Sequence, residues 1–100
     1  MYAMKNLEKF KSLERHAPES MKAFLRFDEL AWSDGAVPKK YKELIAVAVA
    51  LTTQCPYCIE LHVERARKLD ATDAEIAETV LAAAALRAGS AVTHGTHTMK

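Results

Sequence analysis

The sequence predicts an all-α protein, a compact single domain over residues 1–100 with about five helices, assembled as an oligomer. Three observations carry that expectation. Only three glycines and three prolines occur in 100 residues, no stretch alternates apolar with polar residues, and apolar side chains recur at three- and four-residue spacing. Leu7, Phe10 and Leu13, with Met4 before them, outline a short amphipathic first helix. Pro18 suits the first turn of a second helix, where its missing N–H costs nothing, and Met21, Phe24, Leu25, Leu30, Ala31 and Trp32 give that helix its apolar surface. Ser33-Asp34-Gly35 is a turn signal that ends it. Pro38 opens a third helix expected to reach about Gln54, and Pro56 a fourth expected to reach about Leu69. Thr72 and Glu75, three residues apart, have the form of a capping box and predict the start of a fifth helix. That helix should continue past Leu86, with Gly89 as a place where it can bend or break. No internal repeat, low-complexity segment or linker is visible.

Two stretches argue for burial between subunits. Leu44 to Leu51 is apolar on every side, and a helix of that kind needs partners all round. Ala82 to Ala85 offer small side chains that let helices approach closely. A five-helix chain has little material to cover both.

Composition narrows the function classes. Fourteen basic against thirteen acidic side chains, interspersed along the chain, give no bias towards nucleic acid or an acidic membrane surface. The longest apolar run, Leu44 to Leu51, falls far short of the ~20 residues that span a bilayer. No positively charged start leads into an apolar stretch with a cleavage site, so a cytoplasmic location is expected. No organic cofactor is expected either. In that compartment a CxxC pair is more often catalytic or metal-binding than a structural staple.

Such a pair is present as Cys55-Pro56-Tyr57-Cys58, and these are the only two cysteines. Thiols at this spacing can close a small disulfide ring. Only a thiolate attacks a peroxide or a disulfide, and a free thiol is mostly protonated near neutrality. Cys55 precedes a proline at a predicted helix start, where unpaired amides and the helix dipole favour negative charge. Cys58, in the first turn, shares part of that field. His62 lies four residues past Cys58, one turn along the same face, and an imidazole there can move a thiol's proton. Tyr57 reads as a wall of the cleft. Trp32, Phe24 and Phe27 are candidates for an apolar entrance, with core packing the expected fate of at least two.

Glu43 is the next candidate. It stands where Lys39, Lys40 and Lys42 give way to the apolar run, and a carboxylate partly buried there can act as a base. Twelve positions separate it from Cys55, about 18 Å along a straight helix. It reaches the dithiol only if the next helix folds back, or if another subunit supplies it.

Glu43, eleven intervening residues, Cys55-Pro56-Tyr57-Cys58, three more residues and His62 together resemble the core motif of the alkylhydroperoxidase-D-like proteins of the carboxymuconolactone decarboxylase superfamily. The resemblance covers about residues 20–97, including the alanine-rich stretch that ends Ala91-Val92-Thr93-His94-Gly95. It implies an all-α fold, often assembled as a homotrimer or a homohexamer. It implies a thiol-dependent peroxidase or disulfide reductase, supported by a dithiol electron donor such as a lipoyl or thioredoxin-like protein. In that scheme Cys58 takes oxygen from a hydroperoxide, Cys55 resolves the sulfenic acid, and Glu43 and His62 relay protons. The helix-start electrostatics, by contrast, mark Cys55 as the more acidic sulfur. The family's well-described peroxidases carry a histidine where this chain has Tyr57, and a phenol with a pKa near 10 cannot share protons near neutrality as imidazole does.

Other readings remain open at this point. Cys55, Cys58 and His62 are zinc-ligand types, with Glu43 or a C-terminal histidine as a fourth, although the second separated ligand pair usual in structural zinc sites is missing. His94 and His97 can share a helix face, where a polar helix end is the simpler reading. Lactone decarboxylation is disfavoured by the resemblance, since the superfamily's decarboxylases lack the dithiol. A purely structural oligomer with idle thiols is the remaining alternative. Arg87 interrupts the apolar fifth helix and, if buried, needs a carboxylate partner.

Overall fold

The computed structural model describes residues 2–100, which contain helices and no strand. They form two compact units, one reaching to Lys39 and the other spanning Lys40–Lys100.

In the first unit a 3₁₀ turn, Met4–Lys9, leads directly into α1, Phe10–His16. The single helix expected here thus begins in the tighter winding. Ala17 then leaves helical geometry, with φ −142° and ψ 65°, because a residue before proline is pushed out of the α region. Pro18 restarts the chain as the first residue of α2, Pro18–Ala31, which packs on α1. The Trp32 indole N–H donates to Asp28 at 2.8 Å, and the Ser33 hydroxyl donates to the Glu29 carbonyl at 2.8 Å, closing the C-terminal turn. Phe24 and Phe27 are exposed and Trp32 is half-buried, so core packing of two of these three is not what the chain shows.

The second unit holds α3, Lys39–Thr53, α4, Pro56–Lys68, and α5, Asp73–Gly95. Pro38 precedes α3 instead of entering it, and the Asp34 carboxylate accepts the Lys39 N–H at 2.7 Å. The buried stripe of α3 is Glu43, Ala46, Val47 and Ala50, an i, i+3, i+4, i+7 pattern. Ala66, Ala71 and Ala83 supply further buried positions, all small enough for close helix approach. Across α3 from that stripe, Ile45 and Val49 stay 52% and 54% exposed. The apolar run therefore buries one face within the chain and not all of its circumference.

Both α3 and α4 end in a left-handed residue that is not glycine. Gln54 has φ 58° and Asp70 φ 67°. In each case the following N–H bonds five residues back, Cys55 to the Ala50 carbonyl at 3.1 Å and Ala71 to the Ala66 carbonyl at 3.0 Å. These are Schellman closures, which satisfy carbonyls left over at a helix end. The capping box expected at Thr72 is present: Glu75 N–H donates to Thr72 Oγ1 at 3.1 Å and Thr72 N–H to Glu75 Oε1 at 2.9 Å. Lys40 Nζ adds an ion pair to the same Glu75 oxygen at 2.9 Å, tying the start of α3 to the start of α5. Gly89 does not end α5, which runs on to Gly95. By length and composition alone, Asp73–Thr98 also meets the minimum for a membrane-crossing segment.

Candidate active site

Only Gln54 and Cys55 separate α3 from α4, so one residue serves two helix ends. The Cys55 amide closes the C-terminus of α3, while its extended backbone and sulfur cap the N-terminus of α4. Pro56 occupies the first turn of α4, with its fixed φ and no N–H to satisfy. The Cys58 N–H, two residues on, donates to Cys55 Sγ at 3.3 Å. A sulfur in this position takes the place of the oxygen that usually caps a helix.

The two thiols are free, half-buried and electrostatically unlike. The Cys55 thiol lies below its ordinary pKa because it is hydrogen-bonded by the Cys58 side chain and by the Cys58 N–H. The Cys58 thiol is pushed up to about 11, first by that same bond to Cys55 and then by burial. Sharing one field, they titrate as a pair, with Cys55 holding the negative charge first.

Glu43 and His62 meet across α3 and α4. The His62 ring Nδ1 lies 2.5 Å from Glu43 Oε2, and the Glu43 side chain is wholly buried. The fold-back that the 18 Å separation required is supplied by the short turn at Gln54–Cys55, and it occurs within one chain. A carboxylate against Nδ1 favours the ring tautomer that carries its proton there. Glu43 Oε1 is, among the described residues, the one buried side-chain oxygen or nitrogen without a hydrogen-bond partner. Such an orphan costs about 1–3 kcal/mol, which packing alone gives no reason to carry.

All four predicted residues thus lie on α3, α4 and the turn between them. Helical register sets His62 one turn beyond Cys58, with Glu43 behind the imidazole. Tyr57 is half-buried in the first turn of α4. The zinc reading finds no ligand set, because no group of three or more His, Cys, Asp or Glu among the described residues is arranged to hold a metal ion. His94 and His97 come together at the end of α5, ring centroids 5.6 Å apart and edge to face.

One contributor was not foreseen. Arg87 of α5 is exposed, not buried against a carboxylate, and its Nη1 donates to the Thr52 carbonyl at 2.7 Å. It thereby ties α5 to the last turn of α3, immediately before Cys55. A lone arginine in an apolar helix was the available signal, but a backbone carbonyl as its partner leaves no trace in a sequence.

Known proteins show where this arrangement belongs. The carboxymuconolactone decarboxylase family model matches residues 18–100. A Paracoccus denitrificans protein described as uncharacterized protein 4 in cox locus is 51% identical over 72 residues, 72% of this chain and 65% of that protein. An uncharacterized Cupriavidus necator protein is 37% identical over 71 residues, 71% of this chain and 63% of that one. The chain therefore spans somewhat under two thirds of the length of these curated relatives. Among solved structures, a Methanobacterium thermoautotrophicum protein superposes with TM-score 0.82 at 32% identity, covering 88% of this chain and 99% of that one. An apo carboxymuconolactone decarboxylase family protein from Legionella pneumophila superposes with TM-score 0.78 at 35% identity, covering 92% and 82%. With a family match that takes in every helix from Pro18 onward and the same fold in a named member, the chain belongs to the carboxymuconolactone decarboxylase family.

Proposed function

We propose that this chain is a dithiol oxidoreductase of the alkylhydroperoxidase-D type. It reduces a hydroperoxide or a disulfide while Cys55 and Cys58 become a disulfide. With a hydroperoxide, two thiols and ROOH give one disulfide, ROH and water; with a disulfide, they give two free thiols. The observation that carries this reading is the conjunction of two thiols at a helix start, the Cys58 N–H on Cys55 Sγ, with the Glu43–His62 pair one helical turn away. Together they supply a nucleophile and a base. The thiol pair, and not the lactone chemistry in the family's name, is the centre of the proposal. Turnover needs a dithiol donor, which we assign to a lipoyl or thioredoxin-like protein, and no organic cofactor. We place the protein in the cytoplasm as a homotrimer or homohexamer without nucleic-acid or membrane partners; exposed Ile45, Val49, Leu81 and Leu86 support the assembly.

Mass spectrometry of the reduced protein, before and after one equivalent of an organic hydroperoxide, tests the core of this reading. Loss of two hydrogens mapped to Cys55–Cys58 is expected. An unchanged mass, under conditions that oxidise a simple dithiol, sinks it.

A further inference from the structure

We infer that Arg87 of α5 is a positioning residue for the thiol pair: by holding the Thr52 carbonyl it fixes the last turn of α3, and so sets Cys55 where its sulfur meets the start of α4. This deepens the redox reading above and rests on it. Helix α3 ends with a carbonyl that its own backbone cannot serve. In a continuing helix the Thr52 carbonyl would accept the N–H four residues on, and that residue is Pro56, which has none. Its neighbours in the turn are served locally. The Cys55 N–H and the Thr53 hydroxyl donate to the Ala50 carbonyl at 3.1 and 3.4 Å, and the Thr52 hydroxyl donates to the Val49 carbonyl at 2.7 Å. The Thr52 carbonyl is met instead from 35 positions away, by Arg87 Nη1 at 2.7 Å. A guanidinium is also the charge that the negative end of a helix dipole favours.

Two observations show why this turn needs an outside hold. Gln54 has φ 58°, a left-handed conformation that a residue with a Cβ keeps only where its surroundings enforce it. Cys55, next in the chain, must present an amide to α3 and a sulfur to α4, where Sγ accepts the Cys58 N–H at 3.3 Å. Any swing of the end of α3 is therefore a swing of that sulfur. Closing the dithiol joins the two sulfurs and passes two electrons and two protons to the oxidant, so that a disulfide R–S–S–R leaves as two R–SH. The rate of ring closure depends on how often the two sulfurs lie within reach and in line, whichever of them first meets the oxidant. Arg87 acts through the main chain and narrows that range.

The test is stopped-flow reaction of the reduced full chain with one equivalent of an aromatic disulfide that releases a coloured thiolate. The second release, independent of concentration, reports ring closure, and mass spectrometry of the product identifies the Cys55–Cys58 bond. Arg87→Met keeps a long stem without donor or charge, and should slow the second release about fivefold, the worth of one net hydrogen bond. Arg87→Lys, which keeps a cation and a donor, should recover most of that loss. The slowing should persist in about 1 M salt, where the pull of an exposed charge on a thiolate is screened. A second release as fast in Arg87→Met as in the wild type overturns the inference, as does slowing that vanishes in salt or no recovery in Arg87→Lys. Equal slowing in Thr72→Ala, which weakens the start of α5 without reaching the turn, overturns it as well. In each of these cases the wild type still closes its disulfide and the redox reading stands. A wild type that forms no Cys55–Cys58 bond removes that reading, and the inference falls with it.

Discussion

Cys55 and Cys58 are chemically identical and three positions apart, yet the bond between their side chains, the Cys58 amide and unequal burial make them different. The reduced protein should lose its two thiol protons in two separate steps, followed by ultraviolet thiolate absorbance. The first step is lowered from the ordinary thiol value and the second lies at about 11. The sign for stability follows. The pKa of Cys55 is lower in the folded chain, so its capping thiolate adds stability above the ordinary thiol value, and that contribution fades as pH falls through the lowered value. The pKa of Cys58 is higher in the folded chain, so its contribution is present below the ordinary value and is lost as pH rises towards 11. Glu43→Ala removes one partner of a buried pair and empties its space, and should cost about 3 kcal/mol, read from urea melts against Glu43→Gln at about 1 kcal/mol. All four of these side chains were legible in the sequence as residue types at a spacing. What was not legible was the contact itself, since Glu43 and His62 are nineteen positions apart and meet only because α4 turns back.

At the scale of elements, the helix ends were the most readable part of the chain. Pro18, Pro56 and the Thr72/Glu75 box act where their local chemistry says they should. Thr72→Ala removes the hydroxyl that accepts the Glu75 N–H and should cost about 1 kcal/mol, a fall in Tm of about 4–8 °C for a chain of this size. The left-handed Gln54 and Asp70 were hidden, because nothing in a glutamine or an aspartate announces positive φ as a glycine would. The role of Arg87 was hidden for a related reason. Its partner is the main chain at Thr52, and its effect is on the turn that follows. Arg87→Ala should lower hydrogen-exchange protection across Gln54–Tyr57 while leaving the Thr72 cap unchanged.

At the scale of the molecule, periodicity located the helices but could not say how many chains cover them. The α3 stripe that the chain buries is four residues wide, and the apolar side chains around it continue onto exposed surface, as do Leu81 and Leu86 of α5. Sedimentation equilibrium at micromolar protein should give a multiple of 11.1 kDa, and Ile45→Glu or Leu86→Glu should shift it towards the single chain. A single-chain mass for the wild type would remove the assembly, and stable partition into detergent micelles would turn attention to Asp73–Thr98 as a membrane segment. Cys55, finally, is both the stopper of one helix and the starter of the next, which couples folding to electron affinity. A hydrogen bond that favours the thiolate favours the reduced form, so it must raise the reduction potential by about 30 mV for each 1.4 kcal/mol. By the same linkage, a substitution at the Gln54–Cys55 turn that weakens this bond in the reduced form alone should make the dithiol more reducing. The connection between α3 and α4 then sets the potential of the thiol pair, through positions that carry no sulfur.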